Sequence, residues 1–584
     1  MKSEANKELS RIFKEMSAIY QYIGVGERFR ALAYGKASKV IGSLAEDIST
    51  YIENDSLKDL PGIGEGISGL IKEYIRTGKI RKYESLKKNA PHELIEMMEI
   101  KGFGPQSLKR IHNELKVSTK AELIKALQEG KIEKLKGFGK KKTEGMLRGL
   151  KLHKTIEDRM LLWDALDVGE KLVERLKQLP EVKQAELCGS LRRRKETVGD
   201  IDILVSSEEK YRRKIIDYFT NSSVAKQILA KGDTKASIIL KDSGRQADLR
   251  IVNENEWGSA LQYFTGSKEH NIHLRTIAKE KGYKISEYGI FLIKNDKRIA
   301  GKTEEEIYRT IGFQIMPPEM REDKGEIELA SKNKIPKLVS LKDIKGDLQM
   351  HSVWSDGLHS IEAIAEYVKK NFSYEYIVIT DHSKSSRIAN GMDEKQILKQ
   401  IRAIEEANKK MGHDFVKTGI EVDILGDGSL DISDEILAQL DWVTASIHSG
   451  FKHDNTDRII RACENPYVNC IGHPTGRLIG SREPYKVDVE KIIEVAKETN
   501  TALEINAQPE RMDLNDEQAM LARKNGIKLV ISTDSHTLEN FSFMKLGIFI
   551  ARRAWCTPAD ILNTMKWSEI EKWKRKKHKV EHVV

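Results

Sequence analysis

Cysteine is scarce in this chain: Cys188, Cys463, Cys470 and Cys556 are the only four in 584 residues, and no two stand in a CxxC pair. That excludes a CxxC redox or zinc motif and points to a reducing cytosol. Long apolar runs are also missing, so no segment has the length of a transmembrane helix. The opening MKSEANKELSRIFKEM is charged and helical in pattern, without the apolar core of a secretion signal. A cytoplasmic protein without a membrane partner is expected. Excess charge of one sign is small: 99 Lys+Arg against 89 Asp+Glu leaves +10, compatible with nucleic acid but modest for this length. What the chain has is length, enough for roughly three or four domains.

The most informative stretch runs from Cys188 to Val205, CGSLRRRKETVGDIDILV. Alternate residues of a strand share a face, so Asp200 and Asp202 are expected side by side, where their repulsion calls for a divalent cation. The small turn Gly189-Ser190 and the arginines behind it suit a polyphosphate. A second strand, Gln246 to Val252, would bring Asp248 to the same cluster. Two metals so held can align a 3′ hydroxyl with a triphosphate, with Asp248 as ligand or base beside the hydroxyl.

Upstream, one pattern occurs three times: Leu60-Pro61-Gly62-Ile63-Gly64, Ile100-Lys101-Gly102-Phe103-Gly104 and Leu135-Lys136-Gly137-Phe138-Gly139, each before a helix-like run. Glycines permit the tight turn, and the helix start that follows offers free N–H groups to a phosphate. No base need be read. The repeats resemble the helix-hairpin-helix motif of DNA repair and replication proteins. The first segment is itself helical, with Leu9, Ile12, Phe13, Met16, Ile19 and Tyr20 at three-and-four spacing.

After Leu341, short apolar runs alternate with helical ones, and the strand-like runs end in His351, Asp381-His382, Glu421 and Asp423, His448, His473, and Asp534-Ser535-His536. In a closed β/α barrel the C-terminal strand ends meet at one mouth, so these residues predict a polynuclear metal site. Mixed imidazole and carboxylate ligands suit Zn²⁺ or Mn²⁺ better than Mg²⁺.

Further motifs give the first 320 residues a family likeness. Tyr263-Phe264-Thr265-Gly266-Ser267, then Asn271 and Arg275, then Pro317-Pro318-Glu319-Met320-Arg321-Glu322 follow the GS…R…GDID and DLR motifs in order. Together they resemble the X-family, DNA polymerase beta-like enzymes. The resemblance implies that Gly189, Ser190 and Arg193 hold a nucleotide triphosphate and that Asp200, Asp202 and Asp248 hold Mg²⁺ or Mn²⁺. Tyr263, Phe264 and Gly266 would line the sugar pocket, Asn271 would meet the nucleotide's minor-groove edge, and Arg275 the template. Arg30, Tyr34 and Lys36 match positions that grip a 5′ phosphate, with the hairpin glycines (Gly62, Gly64, Gly102, Gly104, Gly137, Gly139) on the duplex backbone. Gapped or nicked duplex DNA and dNTPs are the implied partners, and a monomer is expected. Two departures stand out. Arg194 replaces the usual glycine after the arginine pair. Leu70 occupies the position of the lyase lysine eight residues after the first hairpin glycine, so 5′-deoxyribose-phosphate lyase activity is not predicted; Lys72 is turned about 200° away on a helix.

The C-terminal motifs resemble the polymerase-and-histidinol-phosphatase (PHP) domain, a distorted (β/α)7 barrel. The likeness implies His351, Asp356, His382, Glu421, His448, His473, Asp534 and His536 as ligands for up to three ions, Mn²⁺ and/or Zn²⁺. Gln349 departs from the usual histidine, which makes one ion weaker or differently held. The implied activity is a 3′–5′ exonuclease, with AP-endonuclease and 3′-phosphatase activities in some relatives.

The expected organisation is multidomain, α+β and α/β. Residues 1–85 form a helical DNA-binding domain and 86–150 a fingers-like hairpin domain. A nucleotidyltransferase palm (151–254) and thumb (255–321) follow, then a polar, lysine-rich linker (322–340), the barrel (341–575) and a basic tail (576–584). The expected activity is short-gap DNA polymerisation coupled to trimming of 3′ ends. Alternatives are a nuclease whose degenerate palm only binds DNA, and a template-independent or RNA-directed nucleotidyltransferase.

Overall fold

The computed structural model describes residues 4–574, apart from 25, 45, 46, 61, 89, 101, 102 and 158, so Gly102 and the basic tail lie outside the described residues. Helix Glu4–Ile23 buries Leu9, Ile12, Phe13, Met16 and Tyr20 against Arg28–Ser43 and the hairpin helix Glu65–Thr77. Three-and-four spacing puts these side chains on one stripe, which the neighbouring helices cover. A second core gathers Phe103, Leu108, Ile111, Phe138 and Met146 around Ile19 and Tyr22 of the first helix. The apolar residue between each pair of hairpin glycines is thus a buried plug: Ile63, Phe103 and Phe138.

The palm is a five-stranded sheet in the order Gln184–Leu187, Ile201–Ser206, Gln246–Val252, Lys235–Leu240, Ala225–Lys231. Ile201–Ser206 and Gln246–Val252 run parallel, with Asp202 directly opposite Asp248. The thumb follows as helices Trp257–Thr265 and Lys268–Glu280 and a small sheet, Tyr283–Ser286, Gly289–Leu292 and Arg298–Ala300.

Palm and thumb are joined by a buried ion network. Arg192 grips Glu304 with two 2.8 Å hydrogen bonds and donates to Thr265 Oγ1 at 2.6 Å. Arg321, wholly buried, donates to the same carboxylate and to the Met316 carbonyl. Burial alone would raise the Glu304 carboxyl; Arg321 and Arg192 outweigh it and hold it at about 2. Glu304→Gln should therefore cost about 3 kcal/mol, because it leaves a buried guanidinium without its anion. The wild-type contribution is present above the ordinary carboxylate value and is lost as pH falls towards 2. Urea midpoints of wild type and variant at pH 7 and pH 3 check both statements, the gap narrowing at the lower pH.

The stretch 322–340 connects thumb and barrel, but it is packed rather than a free spacer. Glu326–Ser331 is helical, and Ile327, Ala330, Leu338 and Val339 are buried. Its few apolar residues are too sparse for a periodic signal, yet each enters a core formed by residues distant in sequence.

The C-terminal region forms a seven-stranded parallel sheet in sequence order: Gly346–Asp347, Tyr376–Ile379, Val416–Asp423, Trp442–Ser446, Cys470–Ile471, Ala502–Asn506 and Leu529–Ser532. The chain beyond the last strand bridges back to that beyond the first. His351 N–H donates to the Ser535 carbonyl at 2.8 Å and Asp534 N–H to the Gln349 carbonyl at 3.1 Å. The result is a nearly closed seven-stranded barrel, as the alternating pattern predicts. Its strands are buried on both faces, the mark of a sheet covered by helices. Palm and barrel meet directly: Trp163 packs edge-on against Phe543 at 4.9 Å, with Lys545 over its ring. Among the described residues no helix is long and apolar enough to cross a membrane.

Candidate active sites

The first site lies on the palm sheet. Parallel register brings Asp202 beside Asp248, and Asp200, just before the strand, adds a third carboxylate; one oxygen of each lies within 4.8 Å of the other two. Gln246 donates to Asp248 at 2.9 Å, and Lys235 Nζ stands 3.5 Å from it. Burial, then the Asp200 and Asp248 charges, push the Asp202 carboxyl up to about 7. A divalent ion relieves this crowding, so the residues fit the metal site predicted for them.

Gly189 sits with φ +59°, and a Cβ there would lie 2.2 Å from Asp202 Oδ2. Only glycine lets the turn carrying Ser190 close over the carboxylates. Arg193, one turn on, donates to the Thr265 carbonyl at 2.6 Å and to Glu322 at 3.0 Å. A Cβ on Gly266 would meet its guanidinium at 3.1 Å, so the Arg193 and Gly266 predicted for one pocket are neighbours. Phe264 lines a cavity of about 70 Å³ with Asp202 and Asp248, packs edge-on against Tyr263 and lies under Arg250. Asn271 is turned inward: it donates to the Tyr263 carbonyl at 2.8 Å and accepts from Gln262 at 2.6 Å. Arg275 donates to the Asn271 carbonyl from the same helix.

The hairpins offer a different surface. Gly62 and Gly137 have φ +82° and +86°, conformations that side chains rarely adopt. Gly64 and Gly104 start helices Glu65–Thr77 and Pro105–Leu115 without any side-chain cap. A Cβ on Gly64, Gly104 or Gly139 would meet nothing within 4 Å, so each turn is open to an approaching backbone. Lys36 is exposed, its stem lying against Gly62, and Arg30 pairs with Glu27 at 2.9 Å. Tyr34 is not at the surface. Its ring is buried between Phe13 and Tyr20, and its hydroxyl accepts from Lys82 at 2.9 Å. Leu70 packs on the N-terminal core, while Lys72 faces solvent near Asp55.

The second site fills the barrel mouth. All eight predicted ligands converge there. Glu421 is central, 3.0 Å from His382 Nδ1, 3.1 Å from His473 Nε2, 3.4 Å from His448 Nε2 and 3.6 Å from His351 Nε2. Asp534 lies 3.0 Å from His351, and Asp356 lies 3.2 Å from His536 and 3.7 Å from His382. Two sets could each hold an ion, His351-Asp356-His382-His536 and His382-Glu421-His448, with His382 in both. Buried His351 Nδ1 and His473 Nδ1 have no hydrogen-bond partner within the protein, which fits a role as cation ligands. Gln349 is also buried, with both amide atoms unpartnered.

Within the cluster, carboxylates and imidazoles offset one another's charge. Burial would raise Glu421, but His382 and His448 hold it well below the carboxylate range. Against the same desolvation, Glu421 pushes His448 up to about 10, and the Asp356 carboxylate pushes His536 up to about 9. A binding cation must displace those protons. Divalent-ion binding should therefore release protons near pH 7.5 and weaken, by about tenfold per displaced proton, for each pH unit below. Titration calorimetry in buffers of unequal ionisation heat reads the release directly; zero release would contradict this electrostatic picture.

Several residues outside the eight-ligand set shape the mouth, and two of them are strand-end carboxylates of the sequence pattern. Asp423 accepts from His448 Nδ1 at 2.5 Å and orients that ring. Asp381 accepts from Ser352, Ser355 and Gln400, fixing the loop after the first strand. Both belong to the strand-end pattern that also contains His382 and Glu421, and both serve those ligands' surroundings. Arg511, 3.8 Å from Asp534, and the loop Ser385–Ala389, whose Ile388 is 93% exposed, also line the cavity. Nothing in their local sequence marks them.

Comparison with known proteins agrees with this geometry. Family models described as helix-hairpin-helix domain, DNA polymerase beta palm and DNA polymerase beta thumb match residues 4–80, 164–248 and 260–322. The chain is 24% identical to rat DNA polymerase lambda over 51% of its length and 53% of that protein's. It is 28% identical to a probable phosphatase of Thermoanaerobacter sp. (strain X514), over 40% of its length and 96% of the relative's. Hairpins, palm and thumb define the class: an X-family DNA polymerase fold carrying a metal-site barrel. With the DNA polymerase/3′-5′ exonuclease PolX of Bacillus subtilis (strain 168) it shares 37% identity over 97% of its own length and 98% of that protein's. The chain belongs to the PolX family.

Proposed function

We propose that this chain is a DNA-directed DNA polymerase that fills short gaps during repair, and that its barrel is a metal-dependent 3′–5′ exonuclease preparing 3′ ends for the palm. The observation that carries the reading is the Asp202–Asp248 register, with Asp200 beside it and Arg193 against Gly266, on the same chain as the eight-ligand barrel mouth. Ser190 and Arg193 bind the triphosphate; Tyr263, Phe264 and Gly266 shape the sugar pocket. Asp248 takes the proton of the 3′ hydroxyl. Asn271 reaches the incoming base by leaving the Tyr263 carbonyl, and Arg275 reaches the template. Mg²⁺ or Mn²⁺ on the three aspartates supplies charge for in-line transfer, and up to three Mn²⁺ and/or Zn²⁺ ions at the mouth supply it for phosphodiester hydrolysis. Arg511 stands where a phosphate would enter. AP-endonuclease and 3′-phosphatase activities need no further groups.

The hairpin glycines hold duplex backbone, and Lys36 and Arg30 take a 5′ phosphate, with Tyr34 acting through Lys82. The division into 1–85, 86–150, 151–254, 255–321, 322–340, 341–575 and 576–584 follows these roles. Four free, buried cysteines fit a cytoplasmic setting. With Lys36, Arg30 and Arg275 each set against backbone phosphate charge, the log–log salt slope of gapped-duplex binding should be about −2.7 or steeper. Incubation of a short-gap duplex with dNTPs and Mg²⁺ tests the polymerase: the primer should grow to the end of the gap. Hydrolysis of 3′ ends without any incorporation, in Mg²⁺ or in Mn²⁺, would leave the palm a binding module.

A further inference from the structure

The barrel reaches into the nucleotide side of the palm through one buried side chain. Arg553, 5% exposed, ends the barrel helix Met544–Arg553. Its Nη1 donates to the carbonyl of Arg193 at 2.8 Å and to Glu322 Oε1 at 2.9 Å. That same Glu322 oxygen accepts from Arg193 Nε at 3.0 Å. Arg553 Nη2 is anchored in the barrel by Asp516 at 2.6 Å. The charges therefore alternate from barrel to palm: Asp516, Arg553, Glu322, Arg193. Lys195 adds a weaker contact, 3.6 Å from Glu322.

We propose that Arg553 is a positioning residue for the palm, sharing Glu322 with Arg193 so that the Arg193 guanidinium stays available to a triphosphate. The inference rests on the polymerase reading and deepens it. Glu322 and a triphosphate compete for one guanidinium, and the competition depends on how much of the Glu322 charge is already met. Arg553 meets part of it and also fixes the backbone of Arg193 by its carbonyl. Without Arg553, Glu322 has Arg193 as its main partner and draws it off the phosphates. The effect is on nucleotide binding more than on the chemical step, and it leaves the barrel mouth alone, because Arg553 touches none of the eight ligands.

The test is steady-state gap filling by the full chain with R553M, E322Q and the double variant, with inorganic tripolyphosphate as a competing probe and Mn²⁺-dependent 3′-end hydrolysis as the internal control. R553M should raise KM for dNTP about tenfold, change kcat less, and weaken tripolyphosphate inhibition in parallel. E322Q in the same chain should restore KM to near wild type, since the competing charge is gone; a mere loss of packing would not be rescued that way. Hydrolysis should stay within about twofold. If R553M folds poorly, R553K keeps the charge but cannot reach Asp516, Glu322 and the Arg193 carbonyl together, and a rise of about threefold is expected. Unchanged KM in R553M, or no rescue by E322Q, overturns the proposal. Loss of hydrolysis along with KM also overturns it, marking Arg553 as a general structural residue. A wild-type chain that incorporates no nucleotide at all would overturn the polymerase reading itself, which is a separate and recognisable result.

Discussion

Asp202→Ala should reduce primer extension by about a thousandfold or more while 3′-end hydrolysis stays within about twofold of wild type. Asp202 is the middle carboxylate of its cluster, opposite Asp248 across a parallel strand pair and under the Gly189 turn. A metal clamp on in-line transfer is worth several kcal/mol, and each 1.36 kcal/mol is tenfold in rate. The fold should survive, because the Cys188 N–H bond to the Asp202 carbonyl, which closes the turn, is made by the backbone. Primer extension and hydrolysis measured on one preparation, with circular dichroism as a fold control, check this. Equal loss of both activities would mean that the two sites are not separate.

Glu421→Gln should do the converse, lowering hydrolysis by about a thousandfold by the same arithmetic and leaving extension unchanged. The substitution keeps the volume of a fully buried side chain and removes its charge. Four imidazoles face that carboxylate within 3.0–3.6 Å, and it is the only acid in the His382-Glu421-His448 set. Removing it should also lower the metal content of the purified protein, measured by elemental analysis. The matched loss of metal and hydrolysis separates this effect from unfolding.

Local chemistry accounts for most of what the sequence made legible. The hairpins were visible because a tight turn needs glycine and a core needs a plug, which fixes a short, repeated pattern around Ile63, Phe103 and Phe138. The barrel was visible because strands end at one mouth, so ligands such as His448 and His473 follow apolar runs. The Asp200-Asp202 pair was visible because strand geometry has a period of two. Contacts between distant segments left no such trace. Arg511 belongs to the mouth only because the barrel closes, and Ile388 only because its loop lines the same cavity. The Arg553–Glu322–Arg193 link joins residues 360 positions apart. Segment 322–340 read as a spacer because its four buried apolar residues enter cores built by other segments. Tyr34 is the converse case: a position expected at a phosphate grip is occupied by a buried ring that holds Lys82 instead.

The central claim is that two independent sites on one chain act in series. It is tested most directly by a single-turnover time course on a gapped duplex whose primer ends in a 3′ mismatch, with Mn²⁺ and dNTPs, for wild type, D202A and E421Q. Wild type should shorten the primer and then extend it across the gap; D202A should shorten it and stop. E421Q should leave the mismatched end uncut and extend only a matched primer. A D202A protein that no longer shortens the primer, or an E421Q protein that trims as fast as wild type, would contradict the account.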